Sequence, residues 1–239
     1  LNLDSLQGSV RIDDLGLVWL DDSLKLDSVK LNSSLIGRQR RIELILPELD
    51  VQLEGDFYFS QISSDIKIMA SELEAYFSPD YSGDPVEIAA EQPLNSYSID
   101  FQVRYHDISK YANLIFDKDF YLSPKGVFEG TYYQRKNATL SIFSEIDSIY
   151  FNGLSFNQNT IDVNLSKDLD SAGIIASVFI NSQKQAWKDN PPTKNLSIEA
   201  VWFDDKINFY TSLVQPENNS SADINGEMKL SDDRLTFNF

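Results

Sequence analysis

Carboxylates are the side chains best placed for chemistry in this sequence. Asp21-Asp22, Asp204-Asp205 and Asp232-Asp233 are paired acids of the kind that serve general acid–base catalysis or hold a hard cation. Each pair, however, joins two runs of alternating apolar residues. Asp tolerates turn dihedrals and bonds its own backbone, so the three pairs read as hairpin tips. None belongs to an Asp-rich calcium loop. The single histidine, His106, stands beside Asp107 at an expected strand-to-helix junction, and no nucleophile is spaced to work with it. The sequence holds no phosphate-binding loop, no Gly-x-Ser-x-Gly elbow and no histidines at metal-ligand spacing. With 0 cysteines, thiol nucleophiles, Cys-based zinc sites and disulfides are excluded together. The expectation is a protein that is not an enzyme and carries no cofactor or metal.

The elements around these residues are strands. Leu49, Val51 and Leu53 alternate with Asp50, Gln52 and Glu54, and the apolar series extends to Phe57 and Phe59. Ile99, Phe101, Val103 and Tyr105 repeat the pattern, as do Ile161-Val163-Leu165, Ile174-Ala176-Val178-Ile180, Ile198-Ala200-Trp202 and Leu235-Phe237-Phe239. Period-two alternation gives each strand one dry and one wet face, the mark of antiparallel sheet. Spacing of the turn signals predicts roughly fourteen strands.

One phrase recurs: apolar, polar, Gly, any residue, then apolar. It is centred on Gly8, Gly55, Gly130 and Gly226. Glycine weakens a strand and marks a bend or a close approach, so the repeats predict a curved sheet. Their spacing has no fixed period, which excludes a regular solenoid.

Two segments depart from the strand pattern. Ile66, Met69, Ala70, Leu73, Tyr76 and Phe77 form a helical stripe within Ser64 to Phe77, ended by Pro79. A shorter helix is expected from Asp107 to about Phe116. The stretch Ser78 to Ser96, with Pro79, Gly83, Pro85 and Pro93, predicts a boundary. The expected organisation is therefore a β segment over 1–78 ending in an amphipathic helix, a linker over 79–97, and a β segment over 98–239 continuing the same sheet. Asn190-Pro191-Pro192-Thr193 predicts a long hairpin loop.

The net charge of −17 disfavours nucleic acid and anionic lipid surfaces. Arg38, Arg40 and Arg41 form the one basic knot, expected at a solvated hairpin tip. No run reaches the roughly 18 apolar residues of a membrane helix. Leu1 is not a natural start, so the chain reads as a segment of a longer protein.

An all-β chain of this kind must place its dry face somewhere. It can close into a sandwich, form a barrel, or curl into a taco-like or half-barrel trough whose lining admits an apolar ligand. The expected lining is Leu53, Phe57, Phe59, Ile99, Phe101 and Val103, continuing through Phe128, Tyr132, Val163, Val178 and Met228.

The glycine phrases, the Asp-Asp hairpins and the run Leu49 to Ser60 leading into a helix resemble TamB/AsmA-like envelope proteins. So does Ser98 to Val103, followed by a short helix and then Leu122 to Gly130. The resemblance implies a periplasmic part of an inner-membrane-anchored chain, associated with outer-membrane biogenesis. It implies transport of phospholipid along an apolar groove, assembly of outer-membrane proteins with a barrel partner, or both. The competing expectation is a compact β-sandwich that binds protein or glycan at a surface.

Overall fold

A computed structural model describes residues 3–19, 22–62, 96–106, 108, 120–168, 174–188, 190–203, 206–231 and 234–238. Both expected helices lie almost wholly outside these residues, as does most of the expected linker. A helical turn at residues 59–62 is described just before the first of them.

The first half of the described chain holds β1 (Gly8–Trp19), β2 (Asp22–Ile36), β3 (Gln39–Ile45), β4 (Leu49–Gly55), β5 (Tyr97–Tyr105), β6 (Phe120–Leu122) and β7 (Gly126–Gln134). The second holds β8 (Asn137–Phe151), β9 (Leu154–Asp168), β10 (Ile174–Trp187), β11 (Thr193–Phe203), β12 (Lys206–Gln215), β13 (Ser220–Ser231) and β14 (Arg234–Asn238). Together they form one 14-stranded sheet in near-sequential order from β1 to β14, with β6 off the path and paired to β8. Every pairing is antiparallel, and β4 pairs with β5 across the long intervening segment. Substantial contacts between described elements run only between such lateral neighbours. The protein is therefore mostly β, built as one large open antiparallel sheet.

Turn chemistry accounts for the tight connections. Phe203↔Lys206 and Ser231↔Arg234 are the last pairs of two hairpins, and the acid pairs expected at their tips, Asp204-Asp205 and Asp232-Asp233, lie outside the described residues. The first hairpin closes at Trp19↔Asp22, and Asp21 of its expected acid pair lies outside the described residues. Gly37 (φ 64°) and Asn152-Gly153 (φ 48° and 84°) supply the left-handed residues that two-residue hairpins require. β10 and β11 are joined by the longer loop that Pro191-Pro192 predicts.

A crease runs across β8 to β11. Ile146↔Asn159↔Ser182↔Leu196 pair on one side of it, and Ser148↔Asn157↔Lys184↔Lys194 on the other. Between them Asp147, Gln158, Gln183 and Asn195 drop out of the ladder, with Gln158 and Asn195 left-handed at φ 54° and 53°. Side-chain phase resets there: Ser182 and Gln185, three residues apart, are both buried. Side chains take up the backbone bonds the ladder loses. Asn159 donates to the carbonyls of Ile146 and Phe156, each at 3.0 Å, and Gln185 to that of Ser182 at 2.7 Å.

The buried core lies on one side of the sheet in three clusters. One joins Ile42, Phe57, Tyr97, Ile99, Tyr132 and Ala138; a second joins Tyr105, Leu122 and Ile146; a third joins Ile174 and Trp202. Tyr105 is 2% exposed, and its hydroxyl has no hydrogen-bond partner among the described residues. It sits directly above Gly126, where a Cβ would collide with the phenol. Burial first, and then the charge of Asp147, pushes its pKa up from the usual 10.0. The neutral phenol is the folded form, so its contribution is intact below pH 10.0 and is lost as pH rises beyond it. Tyr105→Phe removes an unsatisfied buried hydroxyl and should stabilise the fold by about 1 kcal/mol, read as a raised urea midpoint.

Candidate functional site

Alternation and register together sort the side chains into rows that cross the sheet on one face. The central row runs Leu53, Phe101, Gly130, Ile142, Val163, Val178, Ala200, Phe209 and Gly226, each directly paired with the next. A second row runs Val51, Val103, Phe128, Ser144, Ile161, Ile180 and Ile198. On the other flank lies a third: Gly55, Ile99, Tyr132, Leu140, Leu165, Ala176, Trp202, Ile207 and Met228. The intervening positions, such as Glu54, Asp100, Thr131, Ser141, Asn164 and Ser177, form the opposite, polar face.

Nine of the eleven expected lining residues thus stand on one face in three adjacent rows. Leu53, Phe101, Val163 and Val178 share the central row, Val103 and Phe128 the second, and Ile99, Tyr132 and Met228 the third. Phe57 and Phe59 differ: β4 ends at Gly55, so they are not strand residues. The Asp56 carboxylate accepts the Ser98 N–H at 2.7 Å, and the chain turns over the sheet there. Phe57 packs edge-on to Phe59, ring centres 6.2 Å apart, against Ile42, Tyr97 and Ile99.

Burial varies along each row. In the third row Ile99, Tyr132 and Trp202 are buried, as is Arg40, which pairs with Gly55 at its end, while Leu140, Leu165, Ala176, Ile207 and Met228 are half-buried; Phe57 is buried beside it. From Leu53 to Phe209 every residue of the central row is only half-buried, and so are Val51, Val103, Phe128, Ile161, Ile180 and Ile198. Extended through Leu44 and Leu31 on one side and Thr211 on the other, the second row ends at Val10 and Ile224, at 46% and 45% exposure. Half-buried apolar residues thus run through all three rows, and buried residues interrupt the two inner ones: Ile42 and Ser33 beyond Leu53 in the central row, and Ser144 in the second.

Gly130 lets this surface lie flat. A Cβ there would fall on the Ser141 carbonyl oxygen and 2.6 Å from the Phe101 ring. Gly226 likewise pairs with an aromatic, Phe209. Gly55 is pressed against the Ser98 carbonyl, while Gly8 takes φ 126° in open space. The recurring phrase therefore marks close approaches at Gly55 and Gly130 and a backbone requirement at Gly8.

Arg40 corrects the expectation of a solvated basic knot: Arg38 and Arg41 are exposed, but Arg40 is 0% exposed. It sits at an apolar-phase position, two residues before Ile42. Its guanidinium donates to the carbonyls of Asp4 and Leu6 and lies 5.5 Å from the centre of the Phe59 ring. One buried nitrogen, Nε, has no partner among the described residues. The Asp4 carboxylate accepts from Ser60, whose hydroxyl leads the interactions that hold it below the usual carboxylate range; the charge of Arg40 adds to them. A depressed folded-state pKa gives stability that is present above 3.8 and lost as pH falls through the folded value. Acidification should therefore free the turn at Leu3–Ser5 before the sheet melts, visible as early loss of amide protection at Ser60.

His106 is exposed at the end of β5, with Nε2 4.0 Å from Asp50. Among the described residues no group of three His, Cys, Asp or Glu side chains could hold a metal ion, and no helix is long and apolar enough to cross a membrane. The chain matches no family model, and searches of curated proteins and of solved structures return no match.

Proposed function

We propose that this chain is a non-enzymatic carrier segment whose apolar face forms a taco-like groove for the acyl chains of phospholipid. The observation that carries the reading is the half-buried central row, apolar apart from glycine, from Leu53 to Phe209. Across eight neighbouring strands this row keeps part of its apolar surface exposed to water. Acyl chains need a dry lining without directed bonds, gaining about 0.8 kcal/mol per buried methylene. The acidic remainder keeps such a protein soluble.

The resemblance to TamB/AsmA-like proteins adds the setting: a periplasmic segment of an inner-membrane-anchored chain, serving phospholipid transport or outer-membrane protein assembly with a barrel partner. The rival reading as a β-sandwich needs two facing sheets, while substantial contacts between described strands are all lateral. Phospholipid should co-purify with the chain and be released by organic extraction, and an acyl-chain fluorophore should bind saturably and compete with phospholipid. Failure of both the extract and the fluorophore would overturn the proposal.

A further inference from the structure

The polar face carries three aromatic rings that the fold does not need. Phe143, Phe179 and Tyr210 stand on β8, β10 and β12, at 38%, 37% and 41% exposure. Register puts them in a single row: Glu129, Phe143, Asp162, Phe179, Glu199, Tyr210, Asn225. Sheets reward aromatic residues paired with aromatic or β-branched partners. Here every ring has only acidic or amide partners on both sides.

The neighbours along each strand are polar and leave part of each ring exposed. Phe143 lies between Ser141 and Glu145, Phe179 between Ser177 and Asn181, and Tyr210 between Asn208 and Ser212. Tyr210 is fixed by its hydroxyl, which donates to Asp223 at 2.7 Å, and Asp162 accepts from Asn164 at 2.7 Å. Beyond Phe143 the row opens into a depression of about 640 Å³, whose lining includes Gln52, Glu54, Asp100, Gln102 and Glu129. A row of flat apolar platforms separated by carboxylates, leading into a depression lined by amides and acids together with Phe101, Thr131 and Ser141, suits a ligand with apolar ring faces and a rim of hydroxyl donors.

We infer that the polar face binds an uncharged, extended, β-linked oligosaccharide, stacked on Phe143, Phe179 and Tyr210 and running into the depression beside Glu129. A pyranose ring is about as long as one inter-strand spacing, about 4.8 Å, so rings on every second strand meet every second sugar. A β-1,4-linked chain turns the same face downward at that interval. Its glycosidic bonds allow it to follow the sheet's twist. Between the platforms Asp162 and Glu199 accept sugar hydroxyls, as charged acceptors that bind more strongly than neutral ones. Nucleic acid also stacks on aromatic rows, but it needs a positive groove, and this row is acidic. The same charge turns away uronic acid polymers. This site lies on the face opposite the proposed lipid surface and does not depend on it.

The test is calorimetric titration of the intact chain with cellohexaose, chitohexaose and, as an anionic control, hexagalacturonate. The expected result is saturable binding of a neutral hexamer, absent with hexagalacturonate and about tenfold weaker in Phe179→Thr and in Tyr210→Thr. Threonine keeps strand propensity at these exposed sites, so both variants should fold. Binding of the acyl-chain fluorophore by those variants should match that of the parent chain. Absence of binding by both neutral hexamers at millimolar concentration would overturn the inference. So would equal binding of hexagalacturonate, or affinity indifferent to both substitutions.

Discussion

Gly130→Ala is expected to destabilise the sheet by about 3 kcal/mol, the upper range for forcing an extra methyl into packed structure. The effect arises from space and not from conformation, because Gly130 is not among the residues with positive φ. Its Cβ would land on the Ser141 carbonyl oxygen and meet Phe101 Cζ at 2.6 Å. Neither neighbour can yield cheaply. Ser141 belongs to the β7–β8 ladder that runs from Val127↔Glu145 to Gln134↔Ala138, and shifting it breaks that register. Phe101 is held in the central row between Leu53 and Gly130. Gly16→Ala is the control: a Cβ there meets nothing within 4 Å, so the stiffer residue should be neutral or slightly stabilising. Urea midpoints followed by far-ultraviolet circular dichroism compare the two. Equal shifts would show that crowding at Gly130 is not the cause.

That contrast also explains what the sequence could show. Leu49-Val51-Leu53 and Ile99-Phe101-Val103 announce strands and assign faces, because alternation is a local property of a half-buried strand. The same local signal orders Val163 with Leu165 and Val178 with Ile180. Which residues become neighbours is set by register, and register depends on hairpin length, as at Phe203↔Lys206 and Ser231↔Arg234. The phrase around Gly130 therefore predicts a close approach, but not that Phe101 fills it.

Arg40 shows a different limit. Its phase with Ile42 places it on the apolar face, yet its stabilising partners are carbonyls of Asp4 and Leu6, from a turn more than thirty residues earlier in the chain. Composition cannot reveal partners of that kind, and a cluster of three arginines reads as solvated. The crease across β8 to β11 left a trace that period-two reading passes over. Ile146 and Ile149 share one cluster although they are three residues apart, a break in alternation at Asp147. The aromatic row had a trace as well. Phe143, Phe179 and Tyr210 stand at polar-phase positions beside Ile142, Val178 and Phe209, which carry the apolar phase.

Val178→Glu should abolish binding of an acyl-chain fluorophore while leaving the strand spectrum and the urea midpoint nearly unchanged. Val178 is half-buried in the middle of the central row, paired with Val163 on β9 and Ala200 on β11. If that row is open to water, a carboxylate there stays solvated in the free protein, and the cost is that of a surface change, about 0.5 kcal/mol. Binding is another matter, since lipid would have to strip water from the new charge. Affinity should then fall by at least tenfold for each 1.4 kcal/mol lost. Phe57→Glu gives the opposite outcome. Phe57 is 1% exposed within the cluster of Ile42, Tyr97, Ile99 and Tyr132, and a charge in that cluster should unfold the segment. The pair of variants separates an open apolar face from a filled one. Unfolding by Val178→Glu as severe as that by Phe57→Glu would mean that the centre of the face is core, and the groove reading would fail with it.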